Sequence, residues 1–226
     1  MHLNMFDQFK CPNLLIMPTF VLPMLITILF IWNKVNLVGN RLTMLTTWFL
    51  EKTSKNLFSQ LTPKGQKWAG ILMALIMFIL MLNLTSLLPY TFSPTSQLST
   101  NMALAIPLWF GTVLLGLMLK PNIATAHLLP EGTPTILAPM LIIIETISLL
   151  IRPMALGVRL TANITAGHLL IHMISSTTVE LMSLSNLIPT IIFLLLLALT
   201  LLEMAVACIQ AYVFTLLISL YLEENS

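Results

Sequence analysis

Charged residues are scarce in this chain: only 8% of its 226 residues are Asp, Glu, Lys or Arg. A soluble domain carries about 25% charged residues, because they cover its surface. This scarcity, together with 58% apolar residues, excludes a soluble enzyme and a disordered tail. Ten Lys and Arg against eight Asp and Glu create no basic field, which excludes a nucleic-acid-binding protein. We therefore predict an all-α integral membrane protein.

The chain also lacks the residues of several common sites. Its two cysteines, Cys11 and Cys208, lie far apart, and we expect both to be structurally inert. It contains no phosphate-binding glycine loop, so we expect no nucleotide site and no catalysis by this chain alone. The N-terminus has neither a basic region nor a small-residue cleavage site, so we expect Leu14–Trp32 to remain in the membrane.

Long apolar runs define the predicted membrane segments. They predict membrane-embedded helices over residues 14–32, 68–88, 102–119, 136–174 and 187–222, and an amphipathic interfacial helix over residues 41–61, all in one membrane domain covering residues 1–226. A bilayer-crossing helix needs about 20 residues. The last two runs are much longer, with 39 and 36 residues.

The two long runs are predicted to form a strongly tilted helical hairpin. Beyond Pro189 the last run has no glycine or proline that would signal a turn, so it is predicted to be one helix. Such a tilt is not expected in bare lipid, and we expect a protein partner to cover the hairpin. A break of the 136–174 run at Gly157 remains the alternative.

The loop between the first two predicted spans is basic, with six Lys or Arg residues and one Glu. The positive-inside rule places this loop on the negative side of the membrane. The N-terminus is then predicted on the positive side, and the C-terminal residues Glu223 and Glu224 on the negative side.

Ionisable residues interrupt the two long apolar runs. They are Glu145, Arg152, Arg159, His168 and His172 in the first run and Glu203 in the second. A charge at the bilayer centre costs about 2.5 to 3.5 kcal/mol on insertion scales, so its default interpretation is functional. Glu145, Arg152 and Arg159 are spaced seven residues apart, which places them near one stripe of a helix. An internal ion-pair network is the structural alternative, and it suits Arg152 better than Arg159.

His168 and His172 form a second group with Glu203. Histidines four residues apart in a helix can bind zinc or pass protons, and Glu203 supplies a third group. From the residues alone, a hydrated proton path, a metal site and plain polar packing remain open. We predict the proton path, with no metal and no cofactor. Gln210, seven residues after Glu203, lies on the same side and either joins this path or forms a hydrogen bond between helices.

Several stretches of the chain resemble one known family. They are Ile144–Ser148, Gly157–His168, Leu202–Glu203, Ile209–Phe214 and Ala105–Trp109. These stretches are similar to the subunit a family of the mitochondrial rotary ATP synthases, of the animal type. The resemblance covers essentially the whole chain, and the stretch around Arg159 is the most specific.

The resemblance implies a stator subunit of the F0 proton channel in the inner mitochondrial membrane, with the N-terminus in the intermembrane space and the C-terminus in the matrix. The implied partners are a ring of c subunits that carry carboxylates, the peripheral stalk, accessory F0 membrane subunits and the lipid bilayer, but no nucleic acid. Arg159 corresponds to the essential cation that faces the ring carboxylate and separates two offset half-channels. The residues that match the two paths are Asn163, His168, His172, Glu203 and Gln210 on the intermembrane side, and Glu145 and Glu224 on the matrix side.

The main alternative is an antiporter-like or respiratory-chain membrane subunit that translocates protons without rotation. It predicts broken helices, acid and lysine residues paired in several spans, and an internal repeat, and none of these is visible in the sequence. A purely structural membrane anchor would not need Arg159 and Glu203 within its apolar runs.

Overall fold

Helices dominate the structure, a computed structural model that describes residues 9–14, 17–31, 41–58, 65–88, 91–119, 121, 138–182 and 187–225. The α-helices are α1 (Val21–Ile31), α2 (Arg41–Phe58), α3 (Ala69–Ser86), α4 (Leu98–Leu119), α5 (Ala138–Met182) and α6 (Leu187–Asn225). Short 3-10 helices over Gly65–Trp68 and Pro94–Ser96 come before α3 and α4. The predicted all-α class is confirmed.

Four segments of the described chain are long and apolar enough to cross a membrane. They are Gln66–Ser86, Leu98–Leu119, Ala138–Met182 and Pro189–Glu224. A helix satisfies every backbone hydrogen bond within its own segment, which is what the hydrocarbon core of a bilayer requires. The chain is therefore a multi-pass integral membrane protein.

The segment before α1 differs from the prediction. Two-residue strands, β1 (Asn13–Leu14) and β2 (Met17–Pro18), pair antiparallel, and α1 begins only at Val21, so the predicted helical start at Leu14 is wrong. The length of the apolar run did not reveal this turn. Pro18 has no backbone N–H to donate to a helix, which favours the extended conformation of this segment. The 11 residues of α1 reach about 16 Å, against a hydrocarbon core of about 30 Å, so a membrane crossing here stays a prediction.

Helix α2 lies within the predicted interfacial helix, whose last three residues, 59–61, are outside the described part of the chain. Its apolar side chains Met44, Leu45 and Trp48 are 68%, 65% and 60% exposed. The Lys52 ammonium lies 5.1 Å from the centroid of the Trp48 ring. Exposed apolar side chains beside basic ones are typical of a helix at a membrane surface. The interfacial position of α2 remains a prediction.

Both long apolar runs form uninterrupted helices. Helix α5 has 45 residues and α6 has 39, which correspond to roughly 68 Å and 58 Å. Helix α5 continues through Pro153 and Gly157, so the alternative of a break at Gly157 is wrong. A Cβ atom at Gly157 would lie 2.5 Å from Sδ of Met102, so this glycine allows α4 and α5 to approach closely. The tilt of the two helices in the membrane stays a prediction.

The ends of these helices differ from the predicted bounds. Helix α4 begins at Leu98 rather than at residue 102, and α5 continues to Met182 rather than ending at residue 174. The polar residues Ser175–Thr178 are accommodated within the helix, where each hydroxyl donates to the carbonyl oxygen three residues earlier. Residues 136–137, at the predicted start of α5, and 183–186, which precede α6 in the sequence, lie outside the described chain.

The chain divides into two compact units. The first unit comprises Met1–Trp32, Met77–Leu98 and Arg159–Tyr212, and the second comprises Asn33–Ile76, Ser99–Val158 and Val213–Ser226. Buried apolar side chains of the first unit include Ile79, Leu82, Leu160, Ile164, Ala207 and Ala211. Those of the second unit include Leu57, Leu72, Leu75, Ile76, Leu156, Phe214, Ile218 and Leu222.

Candidate functional site

Helix α6 has two different faces in the first unit. Glu203 and Gln210, seven residues apart, are only 7% and 6% exposed. The neighbouring positions Leu195, Leu202 and Ile209 have the same spacing but are 50%, 60% and 60% exposed. Because residues seven apart lie on one side of a helix, α6 carries a buried polar stripe beside an exposed apolar stripe.

Gln210 is bonded to α5. The side-chain amide of Asn163 donates from Nδ2 to Oε1 of Gln210 over 2.9 Å. The hydrogen bond between helices that the sequence left open for Gln210 is therefore present. A part for these two amides in a proton path is still a prediction.

His168 and Glu203 face each other between the same two helices. Nδ1 of His168 lies 3.9 Å from Oε1 of Glu203, longer than the roughly 3 Å of a direct hydrogen bond. Nε2 of His168 and both carboxyl oxygens of Glu203 are buried and have no hydrogen-bond partner among the described residues. Within that part of the chain, no third His, Cys, Asp or Glu joins them in a group that could hold a metal. The pair thus keeps unused capacity to give and accept protons.

Asn83 of α3 belongs to the same polar region, although the sequence analysis did not single it out. It is fully buried, and Nδ2 donates to the backbone oxygen of Ala207, one turn after Glu203, over 3.3 Å. Its Oδ1 is buried and lacks a hydrogen-bond partner in the described chain. A polar amide inside the apolar run 68–88 was the signal available in the sequence.

Arg159 and His172 are exposed on α5 in the first unit. Across the residues that the structure describes, the Arg159 guanidinium makes no ion pair or hydrogen bond. An internal ion-pair network therefore does not neutralise Arg159 within this part of the chain. Its positive charge is available to a group outside the chain.

The second unit contains Glu145, Arg152 and Glu224. Nη1 of Arg152 lies 2.8 Å from Oε2 of Glu224, and the guanidinium carbon lies 5.3 Å from the centroid of the Tyr221 ring. Arg152 is thus paired within the chain, as the structural alternative of an internal ion pair predicted, but its acidic partner is Glu224 of α6 and not Glu145 of its own helix. The Glu145 side chain is half-buried. Among the described residues, no hydrogen bond or ion pair joins Glu145 to Glu224, the two residues predicted for the matrix-side path.

Comparison with known proteins identifies the family of the chain. The model of the family described as "ATP synthase A chain" matches residues 14–223. A relative from Lycodon semicarinatus, described as "ATP synthase F(0) complex subunit a", is 56% identical over 226 residues, which is the full length of both chains. Relatives with the same description from Struthio camelus and Pan paniscus are 56% and 53% identical, again over the full length of both chains. The chain therefore belongs to the ATP synthase A chain family, the family of subunit a of the F0 complex.

Proposed function

We propose that this chain is the stator subunit of the F0 proton channel of a rotary ATP synthase. In this role it passes protons between two offset half-channels and the carboxylates of a ring of c subunits. The observation that carries the proposal is the exposed guanidinium of Arg159, which lies on an apolar helix and has no acidic partner among the described residues.

The charge of Arg159 suits the control of a moving acid. A carboxylate that travels through lipid must be neutral, because an unpaired anion there has a large desolvation cost. Opposite a fixed cation, the same group can release its proton and remain stable as an anion. Arginine holds its own proton throughout and so cannot carry protons straight across. Arg159 therefore separates the two half-channels.

The first unit supplies the groups of the intermembrane-side path. His168 and Glu203 are its titratable pair, and the amides of Asn163 and Gln210 supply polar atoms between the same helices. His172 lies one turn after His168 and is exposed, so it extends this series to the surface of the unit. A pair separated by 3.9 Å needs only a small side-chain movement to form a direct hydrogen bond and transfer a proton.

The second unit supplies the groups of the matrix-side path. Glu145 is the half-buried acid in this path, and Glu224, whose side chain is 53% exposed, is its acid at the surface. Arg152 pairs with Glu224 over 2.8 Å and so fixes the position of this acid at the surface. A proton that crosses 100 mV delivers about 2.3 kcal/mol, and two offset paths allow that crossing only with rotation of the ring.

The animal relatives support a location in the inner mitochondrial membrane. The basic loop between the first two predicted spans orients the chain with its N-terminus in the intermembrane space and its C-terminus in the matrix. Besides the ring, the partners are the peripheral stalk and the accessory F0 membrane subunits. The exposed stripe Leu195, Leu202 and Ile209 supplies apolar surface for the contact with the ring.

Cysteine cross-linking in the assembled complex tests the contact with the ring. The natural cysteines Cys11 and Cys208 are first replaced by serine, because both are free thiols. A cysteine is then placed at Leu202 or Ile209, both 60% exposed, and the matched control is Ala211→Cys at a position with 0% exposure. A second cysteine is placed beside the carboxylate of the ring subunit.

On mild oxidation, Leu202→Cys and Ile209→Cys are expected to form disulfides with the ring subunit and to stop ATP-driven proton pumping. Ala211→Cys is expected to form none, because its position is buried. Cross-links from the exposed positions to other subunits only, with pumping intact, would contradict the proposed stator role.

A further inference from the structure

We infer that Gly167 is a positioning residue that seats the carboxyl group of Glu203 beside His168, an inference that rests on the proposed function. A Cβ atom at Gly167 would lie 2.5 Å from Oε1, 2.9 Å from Cδ and 3.2 Å from Cγ of Glu203. All three of these nearest atoms belong to the end of one side chain. The Glu203 carboxyl group therefore occupies the space that any other residue at position 167 would fill.

Backbone conformation does not explain this glycine. Gly167 lies inside α5, and its backbone is not in the left-handed region that favours glycine. In the interior of a helix, glycine is less favourable than alanine, because it loses more conformational freedom on folding. The space that it leaves for Glu203 is the feature that requires a residue without a side chain.

The space beside Gly167 positions the carboxyl group of Glu203 by shape rather than by hydrogen bonds. Glu203 is 7% exposed, and its two oxygens have no hydrogen-bond partner among the described residues. Its Oε1 nevertheless lies 3.9 Å from Nδ1 of His168, the residue that follows Gly167. Displacement of the carboxyl group by a methyl group at position 167 therefore changes the separation of the proton-transferring pair.

An alanine at this position is expected to move the acid without disrupting the helices. The atoms that it meets are the flexible end of Glu203 and not the backbone, so they can shift. Misplacement of a reacting group by about 1 Å can cost on the order of 100-fold in rate. Gly167→Ala is therefore expected to slow proton transfer roughly 10- to 100-fold in the assembled complex.

The matched control is Gly70→Ala. Gly70 lies in α3, another helix long and apolar enough to span a membrane, and outside its own stretch of helix no atom of the described residues lies within 4 Å of the Cβ that it lacks. This variant makes the same chemical change but adds a methyl group in open space. Its pumping rate and complex abundance are expected to equal those of the wild type.

The test measures ATP-driven proton pumping and complex abundance in proteoliposomes for Gly167→Ala, Glu203→Asp, the double variant and Glu203→Gln. Aspartate is one methylene shorter and retracts the carboxyl group from the new methyl group, so the double variant is expected to pump faster than Gly167→Ala alone. A merely structural glycine predicts losses that add and a lower abundance of the complex.

Each outcome decides the inference. Three results would contradict the positioning role of Gly167. They are pumping at the wild-type rate in Gly167→Ala, loss of the assembled complex in that variant, and no recovery in the double variant. If Glu203→Gln slows pumping but Gly167→Ala does not, only the positioning role of Gly167 is contradicted. If neither variant slows pumping, the proposed part of Glu203 in the proton path fails.

Discussion

Replacement of Glu203 by glutamine separates proton transfer from packing, because the two side chains have nearly the same shape. Glu203 is 7% exposed, and neither of its carboxyl oxygens has a hydrogen-bond partner in the described chain. Burial of an unpaired charged carboxylate costs several kcal/mol, whereas an unsatisfied buried amide costs about 1 to 3 kcal/mol. Glu203→Gln is therefore expected to leave the abundance of the complex unchanged or slightly higher.

The expected loss is in the rate of proton transfer. Glutamine cannot release a proton, and a positioned acid or base contributes about 10²- to 10⁴-fold to such steps. We expect a fall of about 100-fold, at the lower end of that range, because His168 remains in place as the other titratable group of the pair. The rate should also depend less steeply on pH on the side from which Glu203 receives protons, because one of the two titratable groups is lost.

The assay is ATP synthesis in proteoliposomes under an imposed pH difference and membrane potential, with the assembled complex quantified on native gels. Glu51→Gln is the control, because it removes an exposed carboxylate from α2. Synthesis at the wild-type rate in Glu203→Gln, at normal abundance, would show that Glu203 serves packing only. A low abundance of the complex would show that a buried glutamine at position 203 is less favourable than the buried carboxylate.

Three other experiments test the remaining charges and polar groups. Arg159→Lys is expected to abolish coupled ATP synthesis without loss of assembly, because lysine can lose its proton when it is desolvated, and Arg41→Lys on α2 is the control. Retained synthesis in Arg159→Lys would contradict the role of that guanidinium. A double-mutant cycle of Arg152→Gln and Glu224→Gln, read from thermal denaturation of the purified complex, is expected to give about 0 to 1 kcal/mol of coupling, since the side chains are 32% and 53% exposed. Coupling well above that range would mean that the pair is desolvated in the complex. Asn83→Leu removes one hydrogen bond, about 0.5 to 1.5 kcal/mol, and also one unsatisfied buried oxygen, so we expect near-normal abundance with several-fold slower pumping. An unchanged pumping rate in Asn83→Leu would limit the role of this residue to packing.

Run length and composition were sufficient to predict the long helices, because an apolar segment in lipid has few alternatives to a helix. They were insufficient for the ends. The start at Leu14 was wrong and the end of α5 was placed eight residues too early, at Ile174 rather than Met182. In one case a pair of short strands precedes the helix, and in the other the polar residues satisfy their hydroxyl groups within the helix, so they do not end it.

Pairing between helices was harder to predict than the position of charges along them. Spacing placed Arg152 on one stripe with Glu145, but its acidic partner is Glu224 of α6. The partner depends on how far one helix is shifted along the next, and periodicity within a helix contains no information about that shift. The same limit hid the contact between Gly167 and Glu203 and the bond from Asn83 to α6.

The two stripes of α6 are offset by a single residue, since Leu202 adjoins Glu203 and Ile209 adjoins Gln210. Each residue advances a helix by about 100°. Deletion of one codon just before Leu202 would rotate everything downstream by that angle and turn the acid outward in place of leucine. Along this stretch, exchange of one apolar side chain for another is tolerable, whereas a change in length is not.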